Sequence, residues 1–135
     1  MATQIFVNLP VKDLTKSVTF YEAIGFTNNP QFTDESGACM VISDTIYVML
    51  ITHTKFKEFN LKDIIDGKKT AGVINSLSMN NNEEVNAFME KALQAGGNEY
   101  RPAQDFGFMQ LRSFEDPDGH NWEVFYMDMS KFPKQ

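Results

Sequence analysis

One order of elements occurs twice along this chain, and that repetition constrains the fold more than any single segment. Ile5–Leu9 ("IFVNL") reads as a strand, and "KDLTKSVTFYEAIG" after it reads as a helix. Asp13 or Thr15 can cap the helix, Leu14, Val18, Tyr21 and Ile24 lie on one face, and Gly25 stops it. Ala38–Ile42 and Ile46–Ile51 are apolar and β-branched, and "SDT" between them marks a hairpin. His53 to Thr70 is polar with interspersed Phe, Leu and Ile, and reads as a connection with a helical turn or two. After Gly72 the order starts again. "VINSLSM" is a strand, and "NNNEEVNAFMEKALQAGG" is a helix with an Asn cap and Glu83 and Glu84 in its first turn. Phe108–Phe114 and Asn121–Met127 are strands joined by "EDPDGH", whose Pro presets φ and whose Gly accepts a positive φ. Sliding residues 5–22 forward by 68 places Leu9 on Leu77, Val11 on Met79, Phe20 on Phe88 and Glu22 on Glu90. Two βαβββ units, 3–52 and 72–128, joined by 53–71, are the expected organisation of a single α+β domain spanning residues 1–135.

The 135 residues suffice for one ordinary core. A single cysteine excludes an internal disulfide and a CxxC zinc site. The apolar runs fall well short of the roughly 20 residues that span a membrane. "MATQIFVNLPVKDL" lacks a basic segment followed by an apolar one, so the expected location is the cytoplasm, away from any membrane. A net charge of −6 argues against binding a phosphate backbone and favours cationic or amine-bearing ligands.

Three stretches carry a resemblance. "LPVKDLTKSVTFYEAIGF" (residues 9–26) is similar to the strand–Val-x-Asp-Leu–helix–Phe-Tyr–Gly opening of the vicinal oxygen chelate superfamily. "EDPDGHNWEVF" (115–125) resembles its closing Asp-Pro-Asp-Gly-Asn-x-x-Glu hairpin, and "AFMEKALQAGG" (87–97) its second helix. That group includes glyoxalase I, bleomycin- and fosfomycin-resistance proteins and extradiol dioxygenases. The chain looks most like its small predicted lactoylglutathione lyase-like proteins. The resemblance implies paired βαβββ units whose sheets curve around a cup, and a homodimer. In metal-dependent members it also implies a divalent ion held by four strands.

Carried across residue by residue, the four ligand positions of the family fall on Phe6, Met49, Ile74 and Glu123. Only Glu123 offers a donor for a hard or borderline divalent ion, so no cofactor is expected and a divalent metal is the alternative. Alternation along the strands then directs Asn121, Glu123 and Phe125 into the cup, with Phe6, Asn8, Tyr47, Met49, Ile51, Ile74 and Ser76 from partner strands. Phe108, in "QDFGFMQ", would add an aromatic lip. If Asp116 pairs with Gly119 across the turn, Arg112 lies opposite Glu123 and can neutralise it; a slip of one residue would turn Arg112 away.

This lining is that of a small-molecule pocket. The leading expectation is a glyoxalase/bleomycin-resistance-like protein that binds a small, partly apolar molecule without the family metal. The enzyme alternatives are a metal-dependent lyase or isomerase of the lactoylglutathione lyase type, a dioxygenase, and a metal-free isomerase using Glu123 as base. His120 reads as a surface turn residue, His53 as a solvated loop histidine, and Cys39 as a buried inert thiol.

Overall fold

Strand β1 (Ile5–Val11) and helix α1 (Leu14–Ala23) open the computed structural model, which describes residues 2–133. Contacts divide the chain into two units, residues 1–66 and 67–135. In the first, α1 is followed by β2 (Thr27–Asn29), β3 (Gly37–Val41), β4 (Ile46–Thr52) and α2 (His53–Phe59). The sheet order is β1-β4-β3-β2, with β1 parallel to β4 and the other pairs antiparallel. Ala38, Met40, Val48 and Leu50 share the buried face of the sheet, and α1 packs on β3 and β4. The buried stripe of α1 runs through Ser17, Phe20, Tyr21 and Ile24; Leu14 and Val18, expected on that stripe, are only half-buried. The spacing is still helical, but the stripe is turned toward Phe20.

Asp13, not Thr15, caps α1: its carboxylate accepts the Lys16 N–H at 3.1 Å. Asp13→Ala is expected to cost about 1 kcal/mol, as for other N-caps. The check is a lower urea midpoint with an unchanged m-value.

The second unit repeats the plan with β5 (Ile74–Ser78), α3 (Asn82–Gln94), β6 (Gln104–Asp105), β7 (Met109–Glu115) and β8 (Asn121–Met127). Its order is β5-β8-β7-β6, again with one parallel pair, β5 with β8. Asn81 caps α3 by accepting the Glu84 N–H at 2.8 Å. Val85, Met89 and Ala92 are the buried residues of α3, which packs on β7 and β8. The face beneath holds Phe114, Trp122 and Val124, all buried.

The fold is therefore α+β, built of two βαβββ units as the repeat implied. The edge strands β2 and β6 were not legible. At three and two residues they are too short for alternation to register. Among the described residues, no helix is long and apolar enough to cross a membrane.

Candidate functional site

Each sheet has one face under its helix and one face turned away from it. Strand alternation decides which residues go where, because ladder partners share a face. In the second unit, β8 sends Trp122 and Val124 under α3, so Asn121, Glu123 and Phe125 point the other way. Ser76 and Ser113 flank Glu123 on the neighbouring strands. Ile74 pairs with Asn121, and Phe125 lies between Ser78 and Leu111. The face is thus a polar row, Ser76–Glu123–Ser113, beside an apolar row built on Phe125 and Leu111.

The Ser76 hydroxyl donates to Glu123 Oε1 at 2.8 Å. The Ser113 side chain is fully buried. A third hydroxyl comes from Tyr100, in the segment after α3. The neighbouring Asn98 bridges to Glu115 of β7, so the same alternation brings Tyr100 over Ser113. Burial pushes the Tyr100 phenol up; a hydrogen bond with the Ser113 hydroxyl lowers it, and the Glu123 charge raises it further. Another carboxylate on this face, Glu115, is already neutralised: Lys68 Nζ lies 3.2 Å from its Oε1, and Asn98 donates to it at 3.3 Å.

The corresponding row in the first unit is Asn8–Met49–Cys39. Met49 thus takes the place in its sheet that Glu123 takes in the other. Phe6 and Tyr47, also partners on this face, stack with centroids 4.6 Å apart and planes 9° from parallel. The Tyr47 hydroxyl donates to the Asp44 carbonyl at 2.9 Å. Cys39 is buried as expected, and burial raises its thiol.

Two expected pocket residues lie elsewhere. Arg112 pairs with Val124, on the helix side of the sheet, and Ser113 stands opposite Glu123. The guanidinium makes a two-pronged ion pair with Glu99, at 2.9 Å through both Nε and Nη2, and donates to Asn86 at 3.1 Å. It helps line an open pocket of about 460 Å3 with Asn86, Glu99 and Tyr100. The register differs because the turn is one residue longer than assumed. Asp116 stands opposite His120 rather than Gly119: its N–H donates to the His120 carbonyl at 3.0 Å, while its carbonyl accepts the Gly119 N–H within the turn at 2.9 Å. Its buried carboxylate accepts the N–H groups of Asp118 and His120, both at 2.9 Å. Pro117, Asp118 and Gly119 form the loop, with Gly119 at φ +87° closing it in the left-handed region. His120 is half-buried in this turn rather than fully at the surface. Phe108, the other displaced residue, packs edge-on against Phe132 at 4.8 Å. It borders a small pocket with Asn82, Gln110 and Tyr126 on the helix side.

A profile described as bleomycin resistance protein-like N-terminal matches residues 3–43. The hypothetical protein SA1046 from S. aureus has 30% identity and a TM-score of 0.78, covering 93% of this chain and 95% of that one. A glyoxalase/bleomycin resistance protein/dioxygenase family enzyme from Burkholderia phytofirmans PsJN superposes with a TM-score of 0.79 at 12% identity, covering 93% and 99%. The chain belongs to the vicinal oxygen chelate superfamily. The fosfomycin resistance protein FosX from Listeria monocytogenes shares the superfamily fold, with a TM-score of 0.68, 18% identity and coverage of 97% and 98%. No protein of curated function matches the chain.

Members of this superfamily that use a metal hold it with side chains from four strands. The positions to which the resemblance carries those ligands hold Phe6, Met49, Ile74 and Glu123. Two are hydrocarbon and one is a thioether too soft for the divalent ions concerned, and Phe6 is committed to its stack on Tyr47. The donor set does not fit the ion. Among the described residues, no three His, Cys, Asp or Glu side chains gather elsewhere to replace it.

Proposed function

We propose that the chain binds a small, partly apolar molecule against the open sheet face that carries Glu123, without a divalent ion held in the superfamily manner. The donor chemistry at the four ligand positions supports this reading: one carboxylate against Phe6, Met49 and Ile74. The face around Glu123 has the mixture expected of a small-molecule site, with Phe125 and Ile74 as apolar surface and the Ser76 and Tyr100 hydroxyls to orient a ligand. Such a protein acts by sequestering its ligand, like the bleomycin-resistance branch of the superfamily.

Metal analysis of the purified protein, paired with turnover of the methylglyoxal–glutathione adduct, tests the reading. The expected result is substoichiometric Ni, Zn, Mn and Fe and no turnover, with or without added metal. Stoichiometric metal together with turnover would make the protein a metal-dependent lyase and sink the proposal.

The hydrogen bond from Ser76 to Glu123, with the Tyr100 phenol nearby, also favours a second reading, a metal-free isomerase with Glu123 as base. It predicts activity that survives chelation and disappears in Glu123→Gln.

A further inference from the structure

Glu123 differs from the other carboxylates of its unit that are fixed in ion pairs. Glu99 is held by Arg112 and Glu115 by Lys68. The partner of Glu123 is a neutral hydroxyl, Ser76, on one oxygen only. Among the described residues no Lys, Arg or His forms an ion pair with it. A half-buried carboxylate without a counter-charge is a favourable place for a cation brought from outside.

Its surroundings narrow the kind of cation. Ser113, directly across the ladder from Glu123, is fully buried, and its hydroxyl faces the Tyr100 phenol, so the oxygens of Glu123 are the open acceptors of the row. Phe125 lies two residues from Glu123 on the same face of β8, about 7 Å along the strand. An aromatic ring beside a carboxylate suits an organic cation, whose N–H groups bond to oxygen while its carbon-bound surface lies on the ring. One carboxylate with hydroxyls is a poor cage for Ca2+ or Mg2+, which take six or more oxygens, and for Zn2+, which takes four ligands rich in His or Cys.

We infer that Glu123, with Ser76 and Phe125 beside it, is the recognition site for a protonated amine on the ligand. One ammonium N–H bonds to the Glu123 oxygen opposite the Ser76 contact, and the carbon-bound surface beside the nitrogen lies on Phe125. Tyr100, exposed at the edge of the row, bounds the site. This inference rests on the binding function proposed above and adds the chemical class of the ligand.

Three probes of one shape test it: tryptamine, tryptophol and indole-3-propionate, which end in an ammonium, a hydroxyl and a carboxylate. Each is titrated into the full chain by calorimetry, with amide chemical shifts locating the site. Tryptamine is expected to bind about tenfold more tightly than tryptophol, since a charge-assisted hydrogen bond exceeds a neutral one. Indole-3-propionate should bind most weakly, and the shifts should centre on residues 76, 113, 123 and 125. Glu123→Gln should reduce the tryptamine-to-tryptophol ratio to about one. Equal affinity for tryptamine and tryptophol, or full preference retained in Glu123→Gln, overturns the amine assignment and leaves the binding function standing. No binding of any probe removes both.

Discussion

Replacing Trp122 by Ala should lower the stability of the second unit by about 3–5 kcal/mol. Trp122 is 1% exposed and stacks on Phe114, with ring centroids 6.4 Å apart and planes 6° from parallel. Phe114 in turn meets Phe88 of α3 at 5.9 Å. The three rings link β8, β7 and α3, so the substitution opens a hole under the helix that a sheet on the other side keeps from collapsing. A loss of that size is a large part of the total of about 5–15 kcal/mol that holds a domain folded. Far-UV circular dichroism during urea unfolding is the measurement, since the substitution removes the one tryptophan that fluorescence would follow. A loss under about 1.5 kcal/mol, the usual cost of a volume-conserving swap, would show that this core repacks freely.

Gly119→Ala should cost about 2–5 kcal/mol from two separate sources. The residue has φ +87°, where any Cβ is strained. A Cβ there would also overlap the backbone of Gly67 and Lys68. Gly67 makes the comparison clean. Its own Cβ would meet the Asp118 carbonyl oxygen at 2.6 Å, but its φ lies outside the left-handed region. Gly67→Ala therefore carries the steric cost alone, about 1–3 kcal/mol. Urea midpoints of the two variants should rank Gly119→Ala as the less stable. The reverse order would mean that the turn relaxes and the approach of residue 67 dominates.

Much of this fold is written plainly in local chemistry. The caps Asp13 and Asn81, the Asp-Pro-Asp-Gly turn and the doubled order of elements each name a boundary that the fold keeps. The faces of β8 follow from simple alternation, and Glu123 stands beside Ser76 because parallel pairing leaves it nowhere else to point. Register was harder. Arg112 and Ser113 exchange faces on a shift of one residue, and that shift depends on whether Asp116 ends the strand or starts the turn. The Asp116 carboxylate decides it by gathering two backbone N–H groups, a contact that residue types alone do not display. Tyr100 was missed for another reason. It sits in a segment without periodicity, and only the bridge from Asn98 to Glu115 brings it to the sheet. An isolated Tyr one position from a charged pair offers no pattern to read.

The strand order has a consequence for how the chain is made. Every ladder of the first sheet closes within residues 5–52, and every ladder of the second within 74–127. The last pairing of each sheet is the parallel one, Ile5 with Ile46 and Ile74 with Asn121, so a unit waits for its final strand before its first strand finds a partner. During synthesis the first unit has all its strands before β5 has emerged, and it can bury Met40, Val48 and Leu50 while the second is still unmade. The longest loop closure is therefore met twice, once within each unit, rather than once across the whole length.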